Sequence, residues 1–316
     1  MSIHYRILKY NNSNFHGHDG IMGYLAFITL LWAFSFSLIG VYLTGQVDEY
    51  FSVMSRIVLA TLVFLPFLRL KGIPKSLMLK LMVIGALQLG LMYCFYYQSF
   101  LYLSVPEVLI FTVFTPIYIT LTYDIIHRRF SPWYLMTALL AVLGAMVIKF
   151  TSVNPHFLLG FLIVQCANLF FAIGQVSYKV IVERAYINVP QHTIFGFFYL
   201  GALCVVVPAF LLLGNQEKFP TKTNQWLILV YLGTVASGMG YFLWNKGVTL
   251  VNAGALAVMN NVLVPTGIVI NLVIWNQDTD LITLSIGGSL ILLSLWLNET
   301  WVKKSIALRM HNTNFS

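Results

Sequence analysis

Charge is what this chain has least of. Asp, Glu, Lys and Arg make up 9% of its 316 residues, 10 acids against 18 bases, where a soluble domain carries about a quarter. Hydrophobic residues make up 59%, and so little charge cannot coat a water-facing surface of this size. A soluble enzyme is excluded, and lipid is the solvent that the apolar excess fits. The three cysteines, Cys94, Cys166 and Cys204, show no CxxC or zinc spacing. They read as small buried hydrophobes, not as a disulfide or metal set. HExxH, GxSxG and phosphate-loop patterns are all missing, and the seven histidines lie outside the apolar runs. No catalytic constellation, metal site or cofactor is therefore expected, and a pump with its own ATPase is argued against.

What the chain does have is long apolar runs. A helix needs about 20 mostly apolar residues to cross a bilayer. Ten stretches qualify within a few residues at each end: Ile21–Leu43, Tyr50–Leu70, Leu77–Tyr97, Val105–Ile125, Trp133–Ile148, Phe157–Lys179, Thr193–Leu213, Trp226–Lys246, Ala253–Trp275 and Leu281–Leu297. They predict an all-α membrane protein of ten transmembrane helices. The first run is too long for a signal-peptide core and follows a polar segment, so cleavage is not expected.

The bases sit in the short gaps between runs. Fourteen, among them Arg69, Lys71, Lys75, Arg128, Lys179, Arg184 and Lys246, fall on the side of the two termini. Three, Lys149, Lys218 and Lys222, fall on the other side, and Arg56 lies inside the second span. That asymmetry places both termini in the cytoplasm. The net charge of +8 is then topology, and no nucleic-acid partner is expected. Residues 1–20 and 300–316 read as polar cytoplasmic tails.

The two halves echo each other. Leu30–Phe34 in the first span answers Asn168–Ala172 in the sixth. Gly90-Leu91-Met92-Tyr93 followed by Pro116 answers Gly238-Met239-Gly240-Tyr241 followed by Pro265. Residues 21–150 and 157–299 thus form two five-helix repeats. Five is odd, so the second repeat enters the membrane from the opposite side, a plan that secondary transporters use around a midplane site.

Amides are expensive inside a membrane unless they pair or face a cavity. Away from helix ends they are Gln88, Gln165, Asn168, Gln175, Asn260, Asn261 and Asn271. Trp32, Ser35, Tyr93, Thr112, Thr115, Ser237, Tyr241 and Trp244 lie at matching depths, which predicts a polar, aromatic-lined centre built from spans 1, 3, 4, 6, 8 and 9. The competing reading is glue between helices, about 1 kcal/mol for each group, and for Gln165 and Asn271 it is the better one. Pro116 and Pro265 suggest paired hinges or gates. Glycines 85, 90, 233, 238 and 240 allow close packing of spans 3 and 8.

Arg56, some six residues into its span, has two readings of equal weight. It is either a structural clamp paired with Glu49 or Glu107, or the receptor of a substrate carboxylate. Glu107 is also a candidate for coupling protons, although an acid at a helix N-terminus is common for dipole reasons alone. Lys179, Glu183 and Arg184 read as an ion-paired end anchor.

Five stretches carry a resemblance: Trp32–Val53, Thr112–Ile125, Asn168–Lys179, Val235–Gly247 and Met259–Pro265. With two five-helix halves and Arg56, they resemble the EamA-type branch of the drug/metabolite transporter superfamily, and within it the bacterial biotin transporters. The likeness runs from the first span to Trp301. It implies a secondary carrier with a central cavity lined by the six spans named above and biotin as its small-molecule substrate. Arg56 would then take the valerate carboxylate, and Trp32, Tyr93, Tyr241 and Trp244 would enclose the rings. Asn168, Gln175, Asn260 or Asn261 would meet the ureido group, with Ser35 and Gln88 completing the polar lining. Bringing a monoanion into a negative interior costs about 2.3 kcal/mol per 100 mV, so a proton or cation partner, or intracellular consumption, is implied. An exporter of amino acids or other metabolites stays open as the second reading. A non-transporting scaffold, which needs no polar cavity, is the third. Monomer and dimer are not distinguished.

Overall fold

The structure, a computed structural model, describes residues 18–128, 130, 132–148, 155–184, 190–275, 281–297 and 300. The readings of both tails and of the Lys149 loop lie outside them, as does the side chain of Asn271. Among the described residues every regular element is a helix. Ten make up the protein: α1 (Gly23–Leu43), α2 (Glu49–Phe67), α3 (Lys75–Ser99), α4 (Glu107–His127), α5 (Pro132–Ile148), α6 (Pro155–Arg184), α7 (Gln191–Leu213), α8 (Thr223–Val248), α9 (Ala253–Trp275) and α10 (Leu281–Leu297). Eight are long and apolar enough to cross a membrane on their described residues, and α5 and α10 contribute shorter apolar helices. The chain is an all-α membrane protein of two inverted five-helix repeats, α1–α5 and α6–α10. Its outer faces carry Leu62, Leu79, Ile125, Leu212 and Val273, all more than half exposed. Such a surface belongs in lipid. Cys166 and Cys204 are exposed on it and Cys94 is half-buried, which corrects the expectation of three buried thiols.

Glycine decides how closely the helices approach. A Cβ on Gly85 of α3 would overlap the Phe198 carbonyl of α7, and one on Gly201 of α7 would overlap the Met82 carbonyl of α3. A Cβ on Gly233 of α8 would lie 2.7 Å from Leu59 Cβ and 3.3 Å from Arg56 Cα of α2. So α3 packs on α7 and α8 on α2, two contacts that the repeat relates.

Irregular turns sit at the same place in each half. α3 widens to a π-helical stretch over Ala86–Leu91 and α8 over Leu232–Met239, and such insertions are frequent at functional sites. The two prolines are not equivalent. α4 breaks at a 3-10 turn, Thr112–Phe114, and Pro116 falls in the first turn of the Thr115–His127 segment that follows. There its missing N–H costs little. Pro265 lies inside a helix continuous from Ala253 to Trp275. The expected pair of matching hinges is therefore one break and one unbroken helix.

Candidate functional site

At the centre lies a cavity that, with the open space at its mouth, encloses about 720 Å³. Trp32, Ser35, Arg56, Tyr93, Asn168, Tyr241, Trp244 and Asn260 all line it, with Thr112 and Thr115. The six expected spans contribute, and Arg56 adds α2 as a seventh helix.

Three expected residues stand elsewhere. Gln88 is fully buried against Gly174 of α6, with neither amide atom hydrogen-bonded. Gln175 accepts from Trp244 Nε1 at 3.1 Å, so it supports a cavity wall from behind. Asn261 donates from Nδ2 to the Val113 carbonyl at 3.2 Å.

That last bond belongs to the break in α4. The Phe111 carbonyl accepts from Asn168 Nδ2 at 2.8 Å and from Gln165 Nε2 at 3.2 Å. Gln165 Oε1 accepts in turn from Tyr118 Oη and Asn168 Nδ2, both at 3.2 Å. Irregular backbone at membrane depth needs such partners, so Gln165 is glue, as its sequence position suggested, and Asn168 is both glue and cavity wall. The widened turn of α8 is served likewise. Trp32 Nε1 donates to the Ala236 carbonyl at 3.1 Å, and Tyr199 Oη lies 2.7 and 2.6 Å from the Ser237 and Gly238 carbonyls.

These bonds fix an aromatic wall. The Trp32 ring lies 4.9 Å from both Tyr241 and Trp244 and 6.0 Å from Phe171. Tyr93 meets Tyr241 edge-on at 5.8 Å. Asn260 spends its Nδ2 on the Leu256 carbonyl of its own helix, at 2.7 Å. What it has left to offer a ligand is its carbonyl oxygen, an acceptor, and a second N–H.

Arg56 is 3% exposed and makes no ion pair. Its Nε donates to Ser237 Oγ at 3.0 Å, Nη1 to Tyr97 Oη and Nη2 to Tyr93 Oη, both at 2.7 Å. The guanidinium carbon also lies 4.4 Å above the Tyr93 ring. Hydroxyls and ring faces hold this charge without cancelling it, so the clamp with Glu49 or Glu107 is not formed. Glu107 instead accepts at Oε2 from Ser104 N–H at 2.7 Å and Ser104 Oγ at 2.8 Å. It caps α4 and is partly exposed, which leaves it poorly placed to couple protons.

Sequence reasoning missed Thr29, Phe36, Met92, Tyr96, Phe171, Met259 and Leu263, all of which line the cavity. Only Tyr96 left a signal, three residues after Tyr93 and thus on nearly the same helix face. Its hydroxyl is buried without a partner, and such a group costs roughly 1–3 kcal/mol. Tyr96→Phe should therefore keep or raise the melting temperature in detergent while weakening substrate binding about tenfold. Equal binding by both proteins would remove Tyr96 from the site.

Beyond the cavity, Lys179 Nζ pairs with Glu183 Oε1 at 2.7 Å, as the end-anchor reading expects. It also donates to the Val248 and Val251 carbonyls, at 3.2 and 2.7 Å, and so caps the end of α8. Lys179→Ala should lower stability by about 1–3 kcal/mol by stranding those carbonyls, read as a lower melting temperature. An unchanged melt would show the cap to be idle.

Ten helices in two inverted repeats around a central aromatic-lined cavity define a multi-pass membrane carrier. The EamA-like transporter family model matches residues 21–150 and 158–300, and the chain belongs to that family. A biotin transporter of Escherichia coli (strain K12) is 51% identical over 282 residues, covering 89% of this chain and 94% of that protein. A biotin transporter of Salmonella typhimurium matches to the same extent. A probable biotin transporter of Pseudomonas aeruginosa is 51% identical over 278 residues, 88% of this chain and 97% of its own. A solved crystal structure shares the fold, with a TM-score of 0.69 at 18% identity, over 90% of this chain and 97% of that one.

Proposed function

We propose that this protein imports biotin across the bacterial inner membrane by alternating access at the central cavity. Both termini lie in the cytoplasm, and the carrier is built from repeats 21–150 and 157–299. The observation that carries the reading is Arg56, a buried cation at the cavity wall that forms no ion pair among the described residues. A buried charge demands a partner, and the biotin carboxylate supplies one. The aromatic wall around Trp32 suits the fused rings, and the Asn260 carbonyl suits a ureido N–H. The names of the relatives, biotin transporters, support biotin as the substrate, and nothing in the cavity favours the exporter of amino acids. Among the described residues no acid lines the cavity to pair with the ammonium group of a free amino acid.

Growth of a biotin auxotroph lacking its own importer tests the reading. At limiting biotin the protein should restore growth, and labelled biotin should enter the cells. Failure of both, with the protein present in the membrane, contradicts it.

A further inference from the structure

Glu49 and Ser52 stand on the face of α2 that carries Arg56. Spacings of three and four stack positions 49, 52 and 56 in one stripe, and their exposures are 9%, 1% and 3%. Glu49 Oε1 and Ser52 Oγ are both buried without a hydrogen-bond partner. Asp48 beside them is fully engaged: it accepts at Oδ1 from Phe51 N–H at 2.7 Å and at Oδ2 from Asn215 N–H at 2.9 Å. It ties the start of α2 to the α7–α8 connection. The charged neighbours of Glu49 are Asp48 on its own turn and Lys218 from that connection, with Tyr50 beside it and the backbone of Glu49 and Gly45 bonding its carboxylate, and among the described residues no ion pair closes on it. Tyr93 and Tyr97 of α3 surround Arg56 further along the stripe.

We propose that Glu49, assisted by Ser52, is the site that binds the co-transported proton. The proposal rests on the reading that the substrate is the biotin anion. In the empty carrier the Arg56 cation and the Glu49 carboxylate cancel. A substrate carboxylate at Arg56 adds one negative charge, and a proton on Glu49 removes it. Empty and loaded carriers then both reorient with a neutral stripe, which frees import from the opposing membrane potential. The proton joins the Glu49 carboxylate from outside water and leaves to cytoplasmic water once the substrate has gone, and nothing is oxidised.

The interaction acts through space. Seven residues separate Glu49 from Arg56, about 10 Å along the helix. At that range and an effective dielectric of about 20, proton and substrate anion each tighten the other's binding roughly tenfold. The Ser52 hydroxyl, between them, donates to a charged carboxylate and accepts from a protonated one. A metal ion here would find only two unpartnered oxygens, too few for a coordination shell.

Purified protein in liposomes with labelled biotin provides the test. With the outside about tenfold richer in protons, one-to-one symport accumulates biotin up to about tenfold. Glu49→Gln should lose that accumulation while still exchanging labelled for unlabelled biotin at equal pH, and Glu49→Asp should keep both. Accumulation by Glu49→Gln at the wild-type level overturns the proposal, as does a wild type that exchanges biotin but ignores the proton gradient. A wild type that does not exchange biotin at all removes the transport reading and this proposal with it.

Discussion

Arg56→Met abolishes biotin uptake and leaves the protein as stable as before, or more stable. Both halves of this expected result follow from one geometry. The guanidinium is buried among Tyr93, Tyr97 and Ser237 with no acid. Keeping such a charge out of water is expensive, and replacing buried charges with apolar groups of similar volume is often neutral or stabilising. Transport should fall at least about a hundredfold, since losing one partner of a buried charged contact costs roughly 2–5 kcal/mol. Arg56→Lys keeps the charge but not the three-way fork, and should recover only a minor part of the activity. Labelled-biotin uptake and a detergent melt check the pair. Uptake by Arg56→Met, or its collapse on melting, would make Arg56 a structural residue and remove the main support for the proposed function.

Gly85→Ala should have the largest effect on folding. The added Cβ would overlap the Phe198 carbonyl, and backbone cannot swing aside as a side chain can. α3 and α7 must separate, which also loosens the reciprocal contact at Gly201. Overpacking of this kind costs about 3 kcal/mol or more when the obstacle is backbone. Gly23→Ala is the control, because nothing lies within 4 Å of its Cβ. Alanine there should be neutral or gain up to about 1 kcal/mol of helix propensity. Monodisperse yield and melting temperature should separate the two variants, and equal behaviour would contradict the described packing.

The apolar runs, the two-fold repeat and Arg56 were legible because each is a statement about composition along the chain. Long apolar runs require little else. Whether an amide faces the cavity is a different matter, since it depends on how each helix is rotated against its neighbours. Gln88 and Asn168 look alike in sequence. Gly174 of α6 presses on Gln88 and turns it into a helix contact, whereas the break in α4 draws Asn168 to the cavity edge. Phe171, Met92 and Leu263 line the cavity but are the residues that a lipid-facing or core position would also choose. Pro116 suggests a hinge in α4, but the carbonyls of the break itself, Phe111 and Val113, are answered from α6 and α9.

The two acids near the starts of α2 and α4 show a signal that was present and unused. Ser104-Val105-Pro106-Glu107 has the capping-box spacing, and the structure gives Glu107 that role. No comparable partner stands three residues before Glu49, where Gln46 occupies the position. Its burial comes from the fold, through the loop that Asp48 anchors. Sequence told which acid was spent; only packing told which one was buried and unpaired.

The central claim is that this cavity carries biotin by its anionic end. Counterflow in liposomes holding only the purified protein tests it most directly. Unlabelled biotin inside should drive a transient overshoot of labelled biotin from outside. Excess biotin outside should suppress the overshoot, and biotin methyl ester, which lacks the charge that Arg56 receives, should not. No overshoot above protein-free liposomes would contradict biotin transport, and equal suppression by acid and ester would contradict the role given to Arg56.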